Sequence, residues 1–330
     1  MNNDIFLNVL EVSEFPEIKR LCKTNKRYLS LCQSNRYLIA KKAIKYYNID
    51  YKDPTNFIYI MNNATVTDDP LKVTELYYKY YNNIQINCAN KNISSIPIYP
   101  KLQDLNCIDN QLTKLPKFSK LKKLDCTGNQ LTSLPAFPQL QTLHCQSNQL
   151  TYLADYPELQ TLGCDGNQLR SLSNFPQLMY LNCNNNQLTS LPKYPKLEML
   201  NCLANQLTSL PEYPQLKYLN CTGNQLTSLS KYSKLETLNC IGNRLTSLPN
   251  YPQLKYLNCA GNQLISLPEY SELINLNCKS NQLISLPEYP KLEILDCTRN
   301  QLTHLPIYPY LRILNSDFIP LNEYKKLYKI

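Results

Sequence analysis

The feature that most constrains this 330-residue chain is a cysteine that recurs at a fixed interval of 19 residues. A strict period of this length is typical of a solenoid, in which each repeat contacts only its neighbours. The sequence therefore predicts one elongated array, preceded by a leading piece of about 80 residues, rather than two globular domains. Ser316 takes the next place in register. Twelve of the fourteen cysteines belong to the series, at positions 88, 107, 126, 145, 164, 183, 202, 221, 240, 259, 278 and 297.

Each unit repeats one internal pattern. Aligned on its cysteine, it reads L-x-x-L-x-C-x-x-N-x-L-x-x-L-P-x-[YF]-[PS]-x, as in LKKLDCTGNQLTSLPAFPQ at 121–139. The alternation in L-x-C predicts a short strand with one buried face, and strands of successive units are expected to lie parallel and in register. Proline lacks a backbone donor and restricts the residue before it. The segment that returns to the next strand is therefore predicted to be polyproline II and not helix.

Three further positions of the unit are predicted to be structural. The asparagine three residues after the cysteine is kept in eleven of twelve units, and is expected to satisfy backbone groups where the chain turns inward. The ring eleven residues after the cysteine, aromatic in all twelve units, is expected to close the outer wall. The cysteine itself is predicted to be a small buried hydrophobe rather than a nucleophile, a zinc ligand or half of a disulfide.

The core L-x-x-L-x-C-x-x-N-x-L resembles the leucine-rich repeat family, with cysteine in place of the third leucine. The resemblance covers about residues 84–318, and the 19-residue spacing is most similar to the short repeats of bacterial effector proteins. It implies an α/β solenoid, a horseshoe with a parallel concave sheet and a polyproline-II-like convex side. Residues 319–330, which include Pro320, are expected to cap its last unit.

The first 50 residues are expected to form a small helical domain, and residues 51–83 a helical linker or N-terminal cap. The stretch IKRLCKTNKRYLSLCQSNRYL at 18–38 resembles the second half of an F-box, although Asn25 stands where tryptophan is usual. The alternative is that these helices only cover the exposed edge of the first unit. The pairing of F-box-like helices with repeats is similar to proteins of giant DNA viruses.

The F-box resemblance implies binding to a Skp-type adaptor of a cullin-RING ubiquitin ligase. The chain would then be the substrate receptor of that ligase, in the cytoplasm, of a host cell if the source is viral. The alternative is a structural or scaffolding solenoid without a ligase link. The adaptor-binding residues implied are Ile5, Leu10, Ile18, Leu21, Cys22 and Leu29.

The concave face of the predicted sheet is the expected site of a protein partner. At the position before the cysteine, nine of thirteen units have asparagine, whose stacked amides are expected to hydrogen-bond from unit to unit. Three positions before the cysteine, several units carry the exposed aromatic and sulfur-containing side chains that interfaces favour. The predicted partner-binding residues are Tyr180, Met199, Tyr218, Tyr256 and Ile294.

Other functional classes find little support in the sequence. The formal net charge is +9, but nine basic residues fall between residues 19 and 45, whereas the predicted concave face has more aspartate than lysine, which disfavours nucleic acid. We predict no catalytic residue, cofactor or metal site, and therefore no enzyme. With neither a signal peptide nor 18 consecutive apolar residues, we expect a soluble intracellular monomer without a membrane partner.

Overall fold

The computed structural model describes residues 84–96, 99 and 101–330. The F-box-like helices predicted for 1–50 and the linker predicted for 51–83 lie outside the described residues. The chain divides into two compact units, one made of Met1–Gln85 and Pro97–Leu102 and the other of Ile86–Ile96 and Gln103–Ile330. The array from Gln103 onward belongs to the second unit.

Thirteen strands of three residues each form a single parallel sheet, in which every strand lies beside the strands that precede and follow it in sequence. One helix, α1 (Leu321–Tyr328), follows the last strand. The strands are β1 Gln85–Asn87, β2 Asp104–Asn106, β3 Lys123–Asp125, β4 Thr142–His144, β5 Thr161–Gly163, β6 Tyr180–Asn182, β7 Met199–Asn201, β8 Tyr218–Asn220, β9 Thr237–Asn239, β10 Tyr256–Asn258, β11 Asn275–Asn277, β12 Ile294–Asp296 and β13 Ile313–Asn315.

Neighbouring strands pair in register, so that each position of the repeat stacks on its own kind. Tyr218 lies opposite Met199 on one side and Thr237 on the other. The hydrogen bonding continues past the strand, since the N–H of Cys221 donates to the carbonyl oxygen of Asn239 at 2.8 Å. The predicted solenoid with a parallel, in-register sheet is confirmed.

The core is built from the leucines and the cysteine of each unit. Leu219, in the middle of β8, and Cys221, just after the strand, are both completely buried. Burial raises the pKa of the Cys221 thiol to about 12, because the thiolate would lose its solvation. The other cysteines from 107 to 297 are likewise buried free thiols, and Cys88 in the first unit is half-buried. The prediction that these cysteines fill the core is confirmed.

The aromatic rings of the return segments stack into a continuous column. From Phe118 to Tyr308, successive ring centroids lie 6.1 to 6.4 Å apart with interplanar angles of 8 to 16°. This is offset stacking, which the ring quadrupoles favour. The phenol groups of the tyrosines, which the sequence analysis did not consider, donate to backbone carbonyls of the previous unit, as Tyr232 does to Pro211 at 3.1 Å. The predicted packing role of the rings is confirmed.

The asparagine three residues after the cysteine holds three stretches of backbone together. The Nδ2 group of Asn224 donates to the carbonyl oxygens of Cys202 and Cys221, both at 3.0 Å. Its Oδ1 atom accepts the N–H of Leu207 at 3.0 Å. The side chain therefore satisfies the Leu207 N–H, and it shares the Cys202 and Cys221 carbonyls with Asn205 and Asn243. The predicted role of this asparagine in pairing backbone groups is confirmed.

A left-handed residue stands two places after the cysteine in each unit and turns the chain inward. Five units place glycine there, and one of these is Gly223, with φ of 64°. The others use residues with a Cβ atom, among them Ala204 with φ of 52° and Arg299 with φ of 56°. A left-handed backbone is unfavourable for residues other than glycine, so these units carry a local strain.

The described return segments contain neither helix nor strand, which confirms that they are not helical. After β13 the chain enters α1, whose Tyr324 is buried. The phenol oxygen of Tyr324 accepts the N–H of Tyr308 at 2.7 Å and donates to the carbonyl of Pro306 at 2.8 Å. The phenol of Tyr328 donates to the carbonyl of Leu305 at 2.7 Å. These bonds tie α1 to the last return segment.

Candidate functional site: the concave face of the sheet

The solvent-facing side of the sheet, here called the concave face, is formed by three positions of each unit. These are the first and third residues of the strand and the residue two places after the strand. Side chains alternate between the faces of a strand, so these positions point away from the core when the middle leucine points into it. In β6, for example, Tyr180 is exposed, Leu181 is buried and Asn182 is half-buried.

The predicted partner-binding residues all stand at the first position of a strand. Tyr180, Met199 and Tyr256 are 40%, 43% and 48% exposed, whereas Tyr218 and Ile294 are half-buried. The first two and Tyr218 occupy the consecutive strands β6, β7 and β8, and form one row across the sheet. The spacing of strands places the two tyrosines about 10 Å apart.

The other two residues are not part of this row. Thr237 on β9 separates Tyr256 from Tyr218, and Asn275 on β11 separates Ile294 from Tyr256. The structure therefore brings three of the five predicted residues together and leaves two at intervals along the same face. We call Tyr180, Met199 and Tyr218 the Tyr-Met-Tyr row.

The expectation that asparagines at the third strand position bond to each other from unit to unit is wrong. In the described strands, no amide-to-amide hydrogen bond joins neighbouring asparagines at this position. The Oδ1 atom of Asn220 accepts instead the N–H of Thr222 at 3.2 Å. Asn106 and Asn277 likewise accept the N–H of the residue two places later in the sequence. The chain turns inward after the strand and brings this N–H within reach, a local bond that asparagine readily makes.

A depression of about 330 Å³ opens on the concave face around Gly163, the third residue of β5. Gly163 has no side chain, and those of His144 and Gln146 on the neighbouring strand lean into the space. A Cβ atom at this position would lie 2.5 Å from Nε2 of Gln146 and 2.9 Å from Nδ1 of His144. The Tyr-Met-Tyr row, Asn182 and Asn201 complete most of the wall. The depression therefore exists because glycine interrupts a column of larger side chains.

The polar groups around the depression include one acceptor that lacks a donor. The Oδ1 atom of Asn201 is buried without a hydrogen-bond partner, and it is the only such side-chain atom in the described part of the chain. Asp165, two residues after Gly163, accepts a hydrogen bond from Nδ2 of Asn182 at 2.9 Å. Partial burial raises the pKa of the Asp165 carboxyl, opposed by a backbone hydrogen bond and by the charge of His144.

The sequence analysis missed this depression. Its signal was present, because the unit LQTLGCDGNQL places Gly163 where nine of thirteen units have asparagine. The side chains that border the gap come from units before and after it, and nothing in a single unit marks them as neighbours of a cavity.

The implied adaptor-binding residues, Ile5 to Leu29, all lie outside the described residues. Within the described part, no group of three or more His, Cys, Asp and Glu side chains is arranged to hold a metal ion. None of the helical segments described there has the length and apolar character needed to cross a bilayer.

Known proteins share this architecture. The family described as Leucine Rich repeats (2 copies) matches residues 119–158. The structure of YopM from Yersinia enterocolitica is 30% identical over 76% of this chain and 69% of that one, with a TM-score of 0.61. YopM from Yersinia pestis, a leucine-rich effector protein, is 25% identical over 88% of this chain and 96% of that one, with a TM-score of 0.57. No curated protein sequence is significantly similar.

The fold and these likenesses define the class. The chain belongs to the leucine-rich repeat family, whose solenoids are commonly protein–protein interaction modules. Its core also has a counterpart in the functional domain of InlJ from Listeria monocytogenes, which includes a cysteine ladder. That domain is 25% identical over 71% of this chain and 68% of that one, with a TM-score of 0.53.

Proposed function

We propose that the chain is a protein-binding module that engages its partner on the concave face, with the Tyr-Met-Tyr row at the centre of the contact. The observation that carries the proposal is the exposure of Tyr180 and Met199 side by side on adjacent strands of the sheet. Tyrosine and methionine are enriched at interfaces, where they supply large contact areas that are shielded from water on binding.

The fold itself does not require these side chains. The same strand position holds Thr142, Thr161 and Thr237 in other units, and those strands pair in the same register. A threonine therefore satisfies the sheet at this position, and the larger residues on β6, β7, β8 and β10 serve some other purpose. Contact with a partner accounts for them.

The test replaces Tyr180, Tyr218 and Tyr256 by threonine, the residue that the repeat already accepts there. Partners found by proximity labelling are purified, and their affinity for the variant is measured. We expect an unchanged melting temperature, because exposed substitutions alter stability by about 0.5 kcal/mol or less each. We expect an affinity lowered about 30-fold if one tyrosine is a hot spot worth about 2 kcal/mol.

A matched control changes apolar residues elsewhere in the repeat. Ile265 and Ile284 are 61% and 64% exposed, and the equivalent residues of earlier units are Thr227 and Thr246. The double variant Ile265→Thr, Ile284→Thr should leave partner affinity unchanged. If the tyrosine variant folds and binds every partner as before, the concave face is not the interface, and a structural or scaffolding solenoid becomes the better description.

The finer proposal is that the chain is a monomeric substrate receptor of a cullin-RING ubiquitin ligase, in the cytoplasm of a host cell if its source is viral. Its support is the F-box-like sequence at 18–38, in which Leu21 and Cys22 match the family. Direct binding of the purified full chain to a Skp-type adaptor tests it. Binding that Leu21→Glu abolishes supports the receptor role, and no binding by the folded wild type contradicts it.

A further inference from the structure

We propose that the depression around Gly163 is a receptor pocket for an arginine side chain of the protein partner. This inference rests on the proposed function, because the arginine would reach the pocket from a protein bound to the concave face. The inference specifies the chemistry of the partner, which would place a basic residue over Gly163, where β5 lacks a side chain.

Shape and position favour a single inserted side chain. The depression of about 330 Å³ is at the small end of ligand sites, and its floor is Gly163 with the ends of the Gln146 and His144 side chains beside it. It adjoins the Tyr-Met-Tyr row, so a partner lying on that row passes over the opening. The proposed contact with the Tyr-Met-Tyr row would therefore bring an arginine of the partner to the depression.

The charges around the depression favour a cation. Asp165 follows Gly163 by two residues, and Asp125 is the third residue of β3, adjacent to His144 on β4. The nearest lysine at a concave-face position is Lys123, on β3, whose in-register neighbours Thr142 and Thr161 separate it from Tyr180. Both carboxylates lie outside the lining, and they favour a positive occupant over an anionic one, in opposition to His144, which is part of the lining.

The hydrogen-bonding groups favour arginine over lysine. Asn201 lines the depression with a buried Oδ1 atom that lacks a donor, and such an atom is costly to leave unpaired. A guanidinium brings five N–H donors in a flat group that stacks on aromatic rings, and Tyr180 and Tyr218 supply rings at the wall. An ammonium is a compact, strongly hydrated charge and matches this combination less well.

Methionine methyl NMR of the full-length chain provides the experiment. The chain has four methionines, at 1, 61, 179 and 199. Of the two that the structure describes, Met199 lines the depression and Met179 does not. The probe is the tripeptide acetyl-Gly-Arg-Gly-amide, and the matched probe carries citrulline, which keeps the shape of arginine and lacks its charge. We expect a saturable shift of the Met199 methyl resonance at millimolar arginine probe, about tenfold weaker with citrulline, and an unmoved Met179 resonance.

Four variants sharpen the test. Gly163→Asn restores the residue most common at this position, so it should fold, fill the depression and abolish the Met199 shift. Gly163→Ala serves the same purpose with a smaller group, should Asn prove too large to fold. Asp165→Asn should weaken the arginine probe severalfold but not the citrulline probe. Ile284→Thr, at a residue outside the lining of the depression, should leave probe binding unchanged.

The outcomes separate this inference from the proposed function. No Met199 shift at about 20 mM probe, or equal binding of citrulline, overturns the arginine pocket. The proposed function survives that result if the triple tyrosine variant still loses its partner. Conversely, probe binding together with a triple variant that retains every partner would keep the pocket and overturn the concave interface.

Discussion

The phenol oxygen of Tyr213 donates a hydrogen bond to the carbonyl oxygen of Pro192, 21 residues earlier and 3.2 Å away. Every tyrosine of the column from 156 to 308 makes the equivalent bond to the residue 21 places before it. The phenylalanines at 118, 137 and 175 stack in the same column without a hydroxyl. The column therefore allows a direct comparison between phenylalanine rings, which only pack, and tyrosine rings, which also donate a hydrogen bond.

Removal of one phenol should cost stability without disturbing packing. Tyr213→Phe leaves the ring in place and strips the Pro192 carbonyl of its partner, so we expect the free energy of unfolding to fall by about 1 kcal/mol. Phe175→Tyr is the reverse change, with the carbonyl of Ala154 at the equivalent place, and should gain a similar amount. Urea denaturation measures both, and equal stability of all three proteins would show that the bond contributes nothing.

Asn224→Ala should be more costly than the loss of a phenol. It removes the acceptor of the Leu207 N–H and one of the two amide donors to each of the Cys202 and Cys221 carbonyls, and we expect a loss of about 1 to 3 kcal/mol. The exposed Thr227→Ala in the same unit is the control and should stay within about 0.5 kcal/mol of the wild type. Chemical denaturation distinguishes the two, and a harmless Asn224→Ala would contradict the assigned role.

The cysteines should react with thiol reagents according to burial. Cys221 is fully buried, whereas Cys88 in the first unit is half-buried. Mass spectrometry after brief labelling of the folded protein should show modification at Cys88 well before Cys221, which should react on denaturation. Cys221→Asp should destabilise severely, by about 4 kcal/mol or more, because it buries an unpaired charge. Rapid native labelling of Cys221 would overturn the core assignment.

Alkaline pH should unfold the protein steeply under reducing conditions. Burial raises the pKa of Cys221 and Cys259 to about 12, against about 8.5 in an unfolded chain. The folded state therefore keeps protons that the unfolded state releases, so stability is intact below about pH 8.5 and falls as pH rises towards 12. Each such thiol contributes a slope of about 1.4 kcal/mol per pH unit once the unfolded form is ionised. Across this range the denaturant midpoint of Cys221→Ala should fall less steeply with pH than that of the wild type.

Relief of backbone strain at Ala204 should stabilise the protein. Its φ of 52° is left-handed, and the next unit places Gly223 at the same position. Ala204→Gly removes a strain of about 1 to 2 kcal/mol but adds freedom to the unfolded chain, leaving a gain of about 0.5 to 1 kcal/mol. Gly223→Ala, the opposite substitution, should lose a comparable amount. Thermal or urea unfolding of the pair tests the sign, and a stabilising Gly223→Ala would refute it.

The array could be predicted from the sequence because the residues that the fold requires recur at the same positions of successive units. The inward direction of Leu219 and Cys221 and the turn-holding amide of Asn224 all recur and therefore stand out. The depression at Gly163 does not recur: it depends on one missing side chain and on the way His144 and Gln146 settle into the space. The bond from Asn220 to its own backbone was also beyond prediction, since its geometry follows from how the chain leaves the strand.

The in-register stacking has a consequence for how such a chain changes length. The side-chain bonds of Asn224 and Tyr213 to the neighbouring unit reach 17 to 22 residues along the sequence, and the strands pair at intervals of 19. Excision or duplication of 19 consecutive residues within the array therefore rejoins equivalent positions and preserves the strand pairing and the recurring core contacts. A gene for such a protein can gain or lose whole 19-residue units by slippage. Each event moves a surface feature such as the depression around Gly163 relative to the ends of the array and leaves the pattern of the core unchanged.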